Sequence, residues 1–229
     1  MSGMIQLMAQ DGVECPAYVA HPAGTAHGAV IVMQEIFGVN SHIRSVADGF
    51  AQQGYLAIAP HAFHRVRQNV ELDYGSDDIA QGRELKAAVE ALPEPGVMDD
   101  IAAAIVFGAG STGGKVAIVG YCWGGLLVWR SACRLRGLSG AIAYYGGGMT
   151  GDLEARRHAL CPVMCHFGEQ DHAIPLEGVK AFAQAQPQVE VHIYAAQHGF
   201  NCDQRASYDA AAAQLAQERT LAFLRRHLS

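Results

Sequence analysis

Residues 115–125 place the tightest limit on how this chain can fold. They read Lys-Val-Ala-Ile-Val-Gly-Tyr-Cys-Trp-Gly-Gly, so an apolar run rich in β-branched residues stops at Gly120, and two more glycines follow soon after. β-branched residues favour a strand, and closely spaced glycines favour an abrupt change of direction. Residues 126–134 then have the apolar pattern of a helix. The stretch therefore predicts a buried strand, a sharp turn and a helix in direct succession.

Cys122 lies at the centre of this turn, with one glycine two residues before it and another two residues after it. This spacing is that of a nucleophile elbow, with a thiol in the position that serine holds in the better-known form. Glycines suit both positions because strand and helix nearly touch there, and the amino end of the helix favours a thiolate. The alternative is a buried cysteine that only fills space. A catalytic interpretation therefore requires a base and an acid elsewhere in the chain.

The composition excludes several classes of protein. The chain has 229 residues, of which 50% are hydrophobic and 17% charged, and its net charge is −6. We expect residues 1–229 to form a single domain with a large core. The negative charge gives no electrostatic reason to bind nucleic acid, the apolar runs are too short to span a bilayer, and no signal-peptide pattern begins the chain. We therefore expect a cytoplasmic protein that binds neither nucleic acid nor a membrane.

We interpret the six cysteines as thiols, because a chain this long and apolar does not need disulfides to stay folded. Cys161 and Cys165 have the spacing of a metal-binding pair, but they lie in an extended apolar segment. No second pair of Cys or His residues with zinc-site spacing accompanies them. Both are therefore expected in the core, and the sequence predicts no metal and no cofactor.

Apolar runs alternate with helical patterns along the rest of the chain. Two short β-like runs come first and are joined by Asp11-Gly12, which favours a hairpin. The remaining predicted strands are at 29–33, 55–59, 116–119, 138–145, 162–167 and 189–194. The first predicted helix runs from a cap at Ser41 to a stop at Gly54, and the others are at 78–92, 97–107, 126–134, 176–184 and 208–227. Most strands are apolar throughout, so the sequence predicts an α/β fold with a mainly parallel sheet and helices on both faces.

In such a sheet the functional site lies beyond the carboxyl ends of the strands. Four loops are predicted to meet there, and each holds a chemically apt side chain: Glu35, Cys122, Asp171 and His198. A nucleophile, then an acid, then a histidine is the chain order of the α/β-hydrolases. The order of the motifs therefore predicts an α/β-hydrolase fold.

His198 is the predicted base, since it follows the final strand and has a glycine beside it. It would take the proton from the Cys122 thiol and return it to the leaving oxygen. Asp171 would hold the imidazole in one tautomer and stabilise its charged form, although an aspartate that stabilises a turn is the alternative. His166, His172 and His192 are interpreted as structural.

Negative charge on the substrate oxygen requires fixed hydrogen-bond donors. The backbone N–H of Trp123, at the start of the helix, is one candidate. The second is a backbone N–H in the loop after the first buried strand, at Ile36 or Phe37. The side chains of Ile36 and Phe37 would also form part of the substrate pocket wall.

Four motifs together resemble the dienelactone hydrolase family, the carboxymethylenebutenolidases, in the same order and over nearly the whole chain. They are Gln-Glu-Ile-Phe-Gly-Val-Asn at 34–40, Gly-Tyr-Cys-Trp-Gly-Gly at 120–125, Gly-Glu-Gln-Asp at 168–171 and His-Gly-Phe at 198–200. The resemblance implies a monomeric α/β-hydrolase that opens a small enol lactone, or cleaves a small ester, through a cysteine acyl-enzyme. It implies Cys122, Asp171 and His198 as the triad.

The resemblance also implies a role for Glu35. In the family this acid pairs with the resting thiol and helps to deprotonate it when substrate enters. A carboxylate beside a thiol would keep the thiol protonated and suppress stray oxidation. A plain salt bridge between Glu35 and a nearby basic residue is the alternative.

The chain departs from the family at the two arginines that clamp the substrate carboxylate. The corresponding positions fall near Gln81 and at Cys202. Arg83 and Arg205 lie close by and are the candidate substrate-binding residues, although both could be ordinary surface arginines. Without a clamp the preference would shift to other small esters or lactones.

Two functions of other classes stay open. One is a redox or thiol-sensing protein that uses Cys122, with Cys202 as the candidate resolving cysteine. The other is a binding domain that keeps the pocket without turnover.

Overall fold

The apolar runs of the sequence pair into one sheet of eight strands in the computed structural model, which describes residues 2–228. The spatial order is β1-β2-β4-β3-β5-β6-β7-β8, with β1 (Ser2–Met8), β2 (Glu14–Ala20), β3 (Ala29–Met33), β4 (Leu56–Pro60), β5 (Val116–Tyr121), β6 (Gly140–Tyr144), β7 (Val163–Gly168) and β8 (Glu190–Tyr194). β1 pairs antiparallel with β2, and β2 antiparallel with β4. All other neighbours are parallel, which confirms the predicted mainly parallel sheet.

Seven helices accompany the strands within residues 2–228, and the last of them follows β8. They are α1 (Ser41–Gln52), α2 (Ser76–Glu90), α3 (Val97–Thr112), α4 (Trp123–Arg134), α5 (Asp152–Ala155), α6 (Leu176–Ala185) and α7 (Ala210–His227). β3 to β7 are buried along their whole length, because helices cover both faces of the sheet. None of these helices combines the length and apolar character needed to cross a bilayer.

Three local features differ from the sequence-based expectation. Asn40, not Ser41, caps α1, and its side-chain oxygen accepts from the Ile43 N–H at 3.2 Å. The end of α3 lies beyond the predicted stop, because Gly108 lets the helix lie close to the sheet: a Cβ there would be 2.9 Å from Ala29. The short helix α5 was not predicted, since four residues carry too little periodic pattern.

The site lies where the connections from the sheet change direction. After β3 the chain adds β4 on one side, and it later returns to add β5 on the other. At such a switch point two neighbouring loops leave the sheet in opposite directions, and a crevice opens between them. The loop after β3, which contains Glu35 and Ile36, and the turn after β5, which contains Cys122, border this crevice.

Helix α2 packs directly against the loop after β3. A Cβ added at Gly82 would lie 2.3 Å from the backbone oxygen of Ile36. Because backbone atoms cannot move aside as a flexible side chain can, only a residue without Cβ allows this approach. The position of the Ile36 backbone therefore depends on the packing of α2.

We expect Gly82→Ala to push α2 away from this loop and to lower the free energy of unfolding by about 1–3 kcal/mol, the usual cost of overpacking. Gly110→Ala is the matched control, because a Cβ at Gly110 meets nothing within 4 Å. That helical substitution should instead raise the free energy of unfolding by about 0.5–1 kcal/mol. Chemical denaturation of both variants makes the measurement, and equal effects at the two positions would contradict the packing argument.

Candidate active site

Cys122 adopts a backbone conformation that residues with a side chain rarely take. Its φ is 55° and its ψ is −117°, between the end of β5 and the start of α4. The neighbouring glycines make this possible: a Cβ at Gly120 would lie 2.3 Å from the Gly124 oxygen, and one at Gly124 would lie 2.5 Å from the oxygens of Met33 and Gln34. Such strain persists only where the surrounding structure enforces it, and it is concentrated at functional sites.

The Cys122 thiol borders a cavity of about 510 Å³ outside the carboxyl ends of the strands. The sequence-predicted residues that line it are Ile36, Phe37, Arg83, Cys122, Trp123, His198 and Arg205. The structure thus brings together side chains from the loops after β3, β5 and β8 and from α2. The remaining two predicted residues, Glu35 and Asp171, are buried and form hydrogen bonds with Arg205 and His198 of the lining.

His198 and Asp171 form a hydrogen-bonded pair. Nδ1 of His198 lies 2.7 Å from Oδ2 of Asp171, and because a carboxylate only accepts, this nitrogen carries the proton. The other Asp171 oxygen accepts from the N–H groups of Ala173 and Ile174 at 2.8 and 3.1 Å. The carboxylate is therefore fixed, and Nε2 of His198 is the nitrogen left to accept a proton.

The electrostatic surroundings of His198 favour its charged form. Burial alone would lower its pKa, but the interactions with Asp171 and with the Cys122 thiol outweigh burial and raise the pKa from 6.5 to about 10. Cys122 and His198 both line the cavity, on the sides formed by the turn after β5 and the loop after β8. The arrangement therefore stabilises the imidazolium that forms when Nε2 of His198 takes a proton.

Glu35 forms an ion pair with Arg205. Its Oε1 accepts from Nη1 of Arg205 at 3.0 Å, and its side chain is almost completely buried. Burial alone would lower the pKa of Arg205, but Glu35 and Cys122 outweigh it and raise that pKa. The guanidinium also lies over the rings of Phe37 and Tyr74, 5.7 and 5.8 Å from their centroids. Among residues 2–228 the hydrogen-bonding partner of Glu35 is thus this arginine and not the thiol.

The two predicted backbone donors come from different elements: Trp123 is the first residue of α4, and Ile36 lies in the loop after β3. Neither N–H donates to a backbone carbonyl within residues 2–228. The Trp123 ring stacks on Phe63 with centroids 5.2 Å apart, and its Nε1–H donates to Glu90 at 3.1 Å. These contacts fix the first residue of α4 and leave its N–H free for a ligand.

Sequence reasoning missed several charged residues of the cavity wall. Lys86, Glu90 and Arg130 line it together with Arg83. Positions 83, 86 and 90 are spaced as one face of a helix. Once Arg83 was a candidate, the periodicity of α2 could therefore have indicated Lys86 and Glu90. Arg130 comes from α4, and no pattern in the sequence links it to α2.

A mainly parallel sheet in the strand order given above, with Asp171 after β7 and His198 after β8, is the arrangement of the α/β-hydrolases. Comparison with known proteins gives the family. Residues 15–228 match the model of the dienelactone hydrolase family. The carboxymethylenebutenolidase of Pseudomonas putida is 32% identical over 226 residues, which cover 96% of this chain and 94% of that protein. The chain therefore belongs to the dienelactone hydrolase family and is a hydrolase of lactone or ester bonds.

Solved structures agree with this assignment. A Klebsiella pneumoniae protein described provisionally as a dienelactone hydrolase superposes with a TM-score of 0.82 at 31% identity, covering 99% of this chain and 98% of that one. A dienelactone hydrolase-like phosphotriesterase from metagenomic libraries superposes with a TM-score of 0.75 at 21% identity, also covering 99% and 98%. The second similarity concerns the fold alone.

We expect Asp171→Asn to remove the stabilisation that the raised His198 pKa provides. The folded pKa of about 10 lies above the ordinary value of 6.5, so this contribution is complete below about pH 6.5 and is lost as the pH rises through about 10. The difference in unfolding free energy between wild type and variant should therefore shrink from pH 6.5 to 10. The exposed Asp152→Asn is the control and should show a constant difference. A constant difference for Asp171→Asn would refute the coupling.

We expect Arg205→Gln to destabilise the protein by about 3–5 kcal/mol, because it leaves the Glu35 carboxylate buried without its cation. Adding Glu35→Gln should recover much of this loss, since the uncompensated charge disappears. A double-mutant cycle measured by denaturation gives the coupling energy. Additive effects of the two substitutions would show that the ion pair contributes nothing to stability.

Proposed function

We propose that this chain hydrolyses small enol lactones or activated esters, preferably anionic ones, through a thioester on Cys122. The observation that supports this most directly is the shared cavity of the strained Cys122 and of His198, which a buried Asp171 holds in one tautomer. The name of the Pseudomonas putida relative, a carboxymethylenebutenolidase, agrees with a lactone substrate.

In the proposed first half-reaction, His198 takes the thiol proton and the sulfur attacks the carbonyl carbon. The carbonyl oxygen becomes an oxyanion that accepts hydrogen bonds from the N–H groups of Trp123 and Ile36. The bond between the carbonyl carbon and the leaving oxygen then breaks, and His198 gives its proton to that oxygen. In a lactone the leaving oxygen stays attached to the acyl chain, so the whole substrate remains on Cys122.

In the second half-reaction, His198 takes a proton from water and the resulting hydroxide attacks the thioester carbon. The carbon–sulfur bond breaks, the thiol is restored, and a carboxylate leaves. The net change is the addition of one water molecule. Each backbone donor to the oxyanion is expected to stabilise the transition state by about 3 kcal/mol.

The charges of the cavity support an anionic substrate. The chain as a whole carries a net charge of −6, yet Arg83, Lys86, Arg130 and Arg205 all border this cavity. Arg130 is engaged by Glu154 at 2.8 Å, and Arg205 by Glu35. Arg83 and Lys86, one helical turn apart on α2, are therefore the cations best able to bind a substrate carboxylate.

The redox alternative is less well supported. Burial and the nearby Glu35 raise the pKa of Cys202 to about 11, so this cysteine is a poor thiolate at neutral pH. All six cysteines are free thiols, which suits a reducing compartment. We propose that the protein acts in the cytoplasm as a single-domain monomer.

The thioester is tested with p-nitrophenyl acetate. We expect wild type mixed with this ester and quenched in acid to show an acetyl adduct on Cys122 by mass spectrometry. Cys122→Ala should lose the adduct and at least about 10³-fold in kcat/KM. Cys133→Ala, at a half-buried thiol elsewhere, is the control and should keep both. An adduct that persists in Cys122→Ala would place the nucleophile elsewhere.

The preference for anions is tested by comparing p-nitrophenyl acetate with the monoester of succinate. Arg83→Ala should lower kcat/KM for the charged ester about 10- to 100-fold, the value of one charge-assisted hydrogen bond, and change the neutral ester little. Arg136→Ala removes an exposed arginine that does not line the cavity and serves as the control. Equal losses on both esters would argue against a carboxylate clamp at Arg83.

A further inference from the structure

Three buried metal-ligating side chains meet behind the catalytic loops: Glu35, His42 and Cys202, here called the Glu–His–Cys cluster. Glu35 follows β3, His42 lies in the first turn of α1, and Cys202 lies in the loop after β8. Their exposures are 1%, 3% and 0%, and one ligand atom of each lies within 4.8 Å of the other two. Burial of this set without a ligand would leave polar groups away from water, which is costly.

Two atoms of the cluster are buried without a hydrogen-bond partner in residues 2–228. They are Oε2 of Glu35 and Nε2 of His42. Each costs about 1–3 kcal/mol when it is left in this state. The other oxygen of Glu35 is taken by Arg205, so Oε2 is the oxygen available to a ligand.

The hydrogen bond of Nδ1 fixes the tautomer of the His42 ring. Nδ1 lies 3.1 Å from Oδ1 of Asp203, and because a carboxylate only accepts, Nδ1 carries the proton. Nε2 of a neutral imidazole then presents a lone pair. A histidine that donates one N–H to a carboxylate and offers its other nitrogen is the usual arrangement around a bound metal ion.

We propose that the Glu–His–Cys cluster binds a zinc ion through Oε2 of Glu35, Nε2 of His42 and the sulfur of Cys202. Thiolate, imidazole and carboxylate are the ligands that Zn²⁺ takes in proteins, and three protein ligands leave a fourth position for water. The thiolate and the carboxylate supply two negative charges to the ion, and the carboxylate shares its charge with Arg205. Binding transfers the thiol proton of Cys202 to solvent, so affinity should rise about tenfold per pH unit near neutrality.

A second cavity reaches one residue of the cluster. His42 and Asp203 border a separate cavity of about 350 Å³, which is also lined by Tyr121 and Asn201. Asp203 itself is largely exposed. His42 is therefore the member of the cluster from whose side we expect the ion to enter, beside α1, while substrate enters beside α2.

A second group of ligating side chains, Cys15, His64 and Asp100, differs in an informative way. Its carboxylate already accepts from Arg65 at 2.8 to 3.1 Å and pairs with His64 at 2.9 Å. Both oxygens of Asp100 accept from Arg65, whereas Oε2 of Glu35 has no partner in residues 2–228, so this second group has no free carboxylate oxygen to offer a cation. It provides an internal control for the Glu–His–Cys cluster.

The proposed ion would also affect hydrolysis, and this part rests on the proposed function. Zn²⁺ on Oε2 would neutralise Glu35 and weaken its hold on Arg205, whose guanidinium lies near Cys122. We expect Zn²⁺ to inhibit ester hydrolysis and EDTA to restore it. The binding experiment below does not depend on any activity.

Titration with Co²⁺, a coloured substitute for Zn²⁺, tests the site. A thiolate bound to Co²⁺ gives a charge-transfer band in the near ultraviolet, and added Zn²⁺ should remove the band by displacement. Cys202→Ser should abolish it. Asp203→Ala, at an exposed position, should weaken affinity about 10- to 100-fold by releasing His42. Cys122→Ser and Cys15→Ser should keep the band.

The outcomes separate the possibilities. A band lost in Cys122→Ser but kept in Cys202→Ser would place the metal on the catalytic thiol and overturn the proposal. No band at millimolar Co²⁺ between pH 7 and 9 would also overturn it. If Cys202→Ser fails to fold, unchanged affinity in Asp203→Ala has the same meaning. A band with no effect of Zn²⁺ on hydrolysis would keep the metal site and contradict only its link to the proposed function.

Discussion

The close approach of the turn at Cys122 to the loop after β3 is the contact on which the candidate site depends. Gly124, at the start of α4, lies against the backbone oxygens of Met33 and Gln34, at the end of β3. This contact holds Cys122 at a positive φ and sets the distance between the two proposed oxyanion donors, Trp123 and Ile36. The residues next to the contact can accept strain because β3 and β5 are buried and paired along their length. A rigid sheet thus supports a strained turn.

Charge in this site is arranged in buried pairs. Asp171 holds His198, and Glu35 holds Arg205, with hydrogen bonds of 2.7 and 3.0 Å. Each carboxylate is nearly inaccessible, while its partner borders the cavity. This arrangement presents cationic groups to a ligand although the chain is acidic overall. The buried members cannot be removed singly without leaving the other charge uncompensated.

Sequence reasoning predicted which candidate side chains come together better than it predicted the contacts around them. Cys122, Asp171 and His198 were recognisable because each follows an apolar strand, and a parallel sheet brings such positions to one edge. The partner of Glu35 was left open between the thiol and a basic residue, and the structure pairs it with Arg205. That pairing joins positions 170 residues apart, and local patterns carry no information on such contacts. The cap of α1 was missed for a different reason: Asn40 and the adjacent Ser41 are both good capping residues, and the local sequence does not decide between them.

The sequence by itself determined the α/β class, the strand–turn–helix at Cys122 and the order of the catalytic candidates. These follow from local periodicity and from glycines at positions where closely packed elements leave no room for a side chain. Only the tertiary structure decided which side chains share the cavity and which are buried behind it. His42 and Cys202 have no motif spacing, yet they lie together with Glu35 because α1 and the loop after β8 pack against the end of β3. The physical reason is that burial and pairing depend on the packed neighbours of a residue and not on its position in the chain.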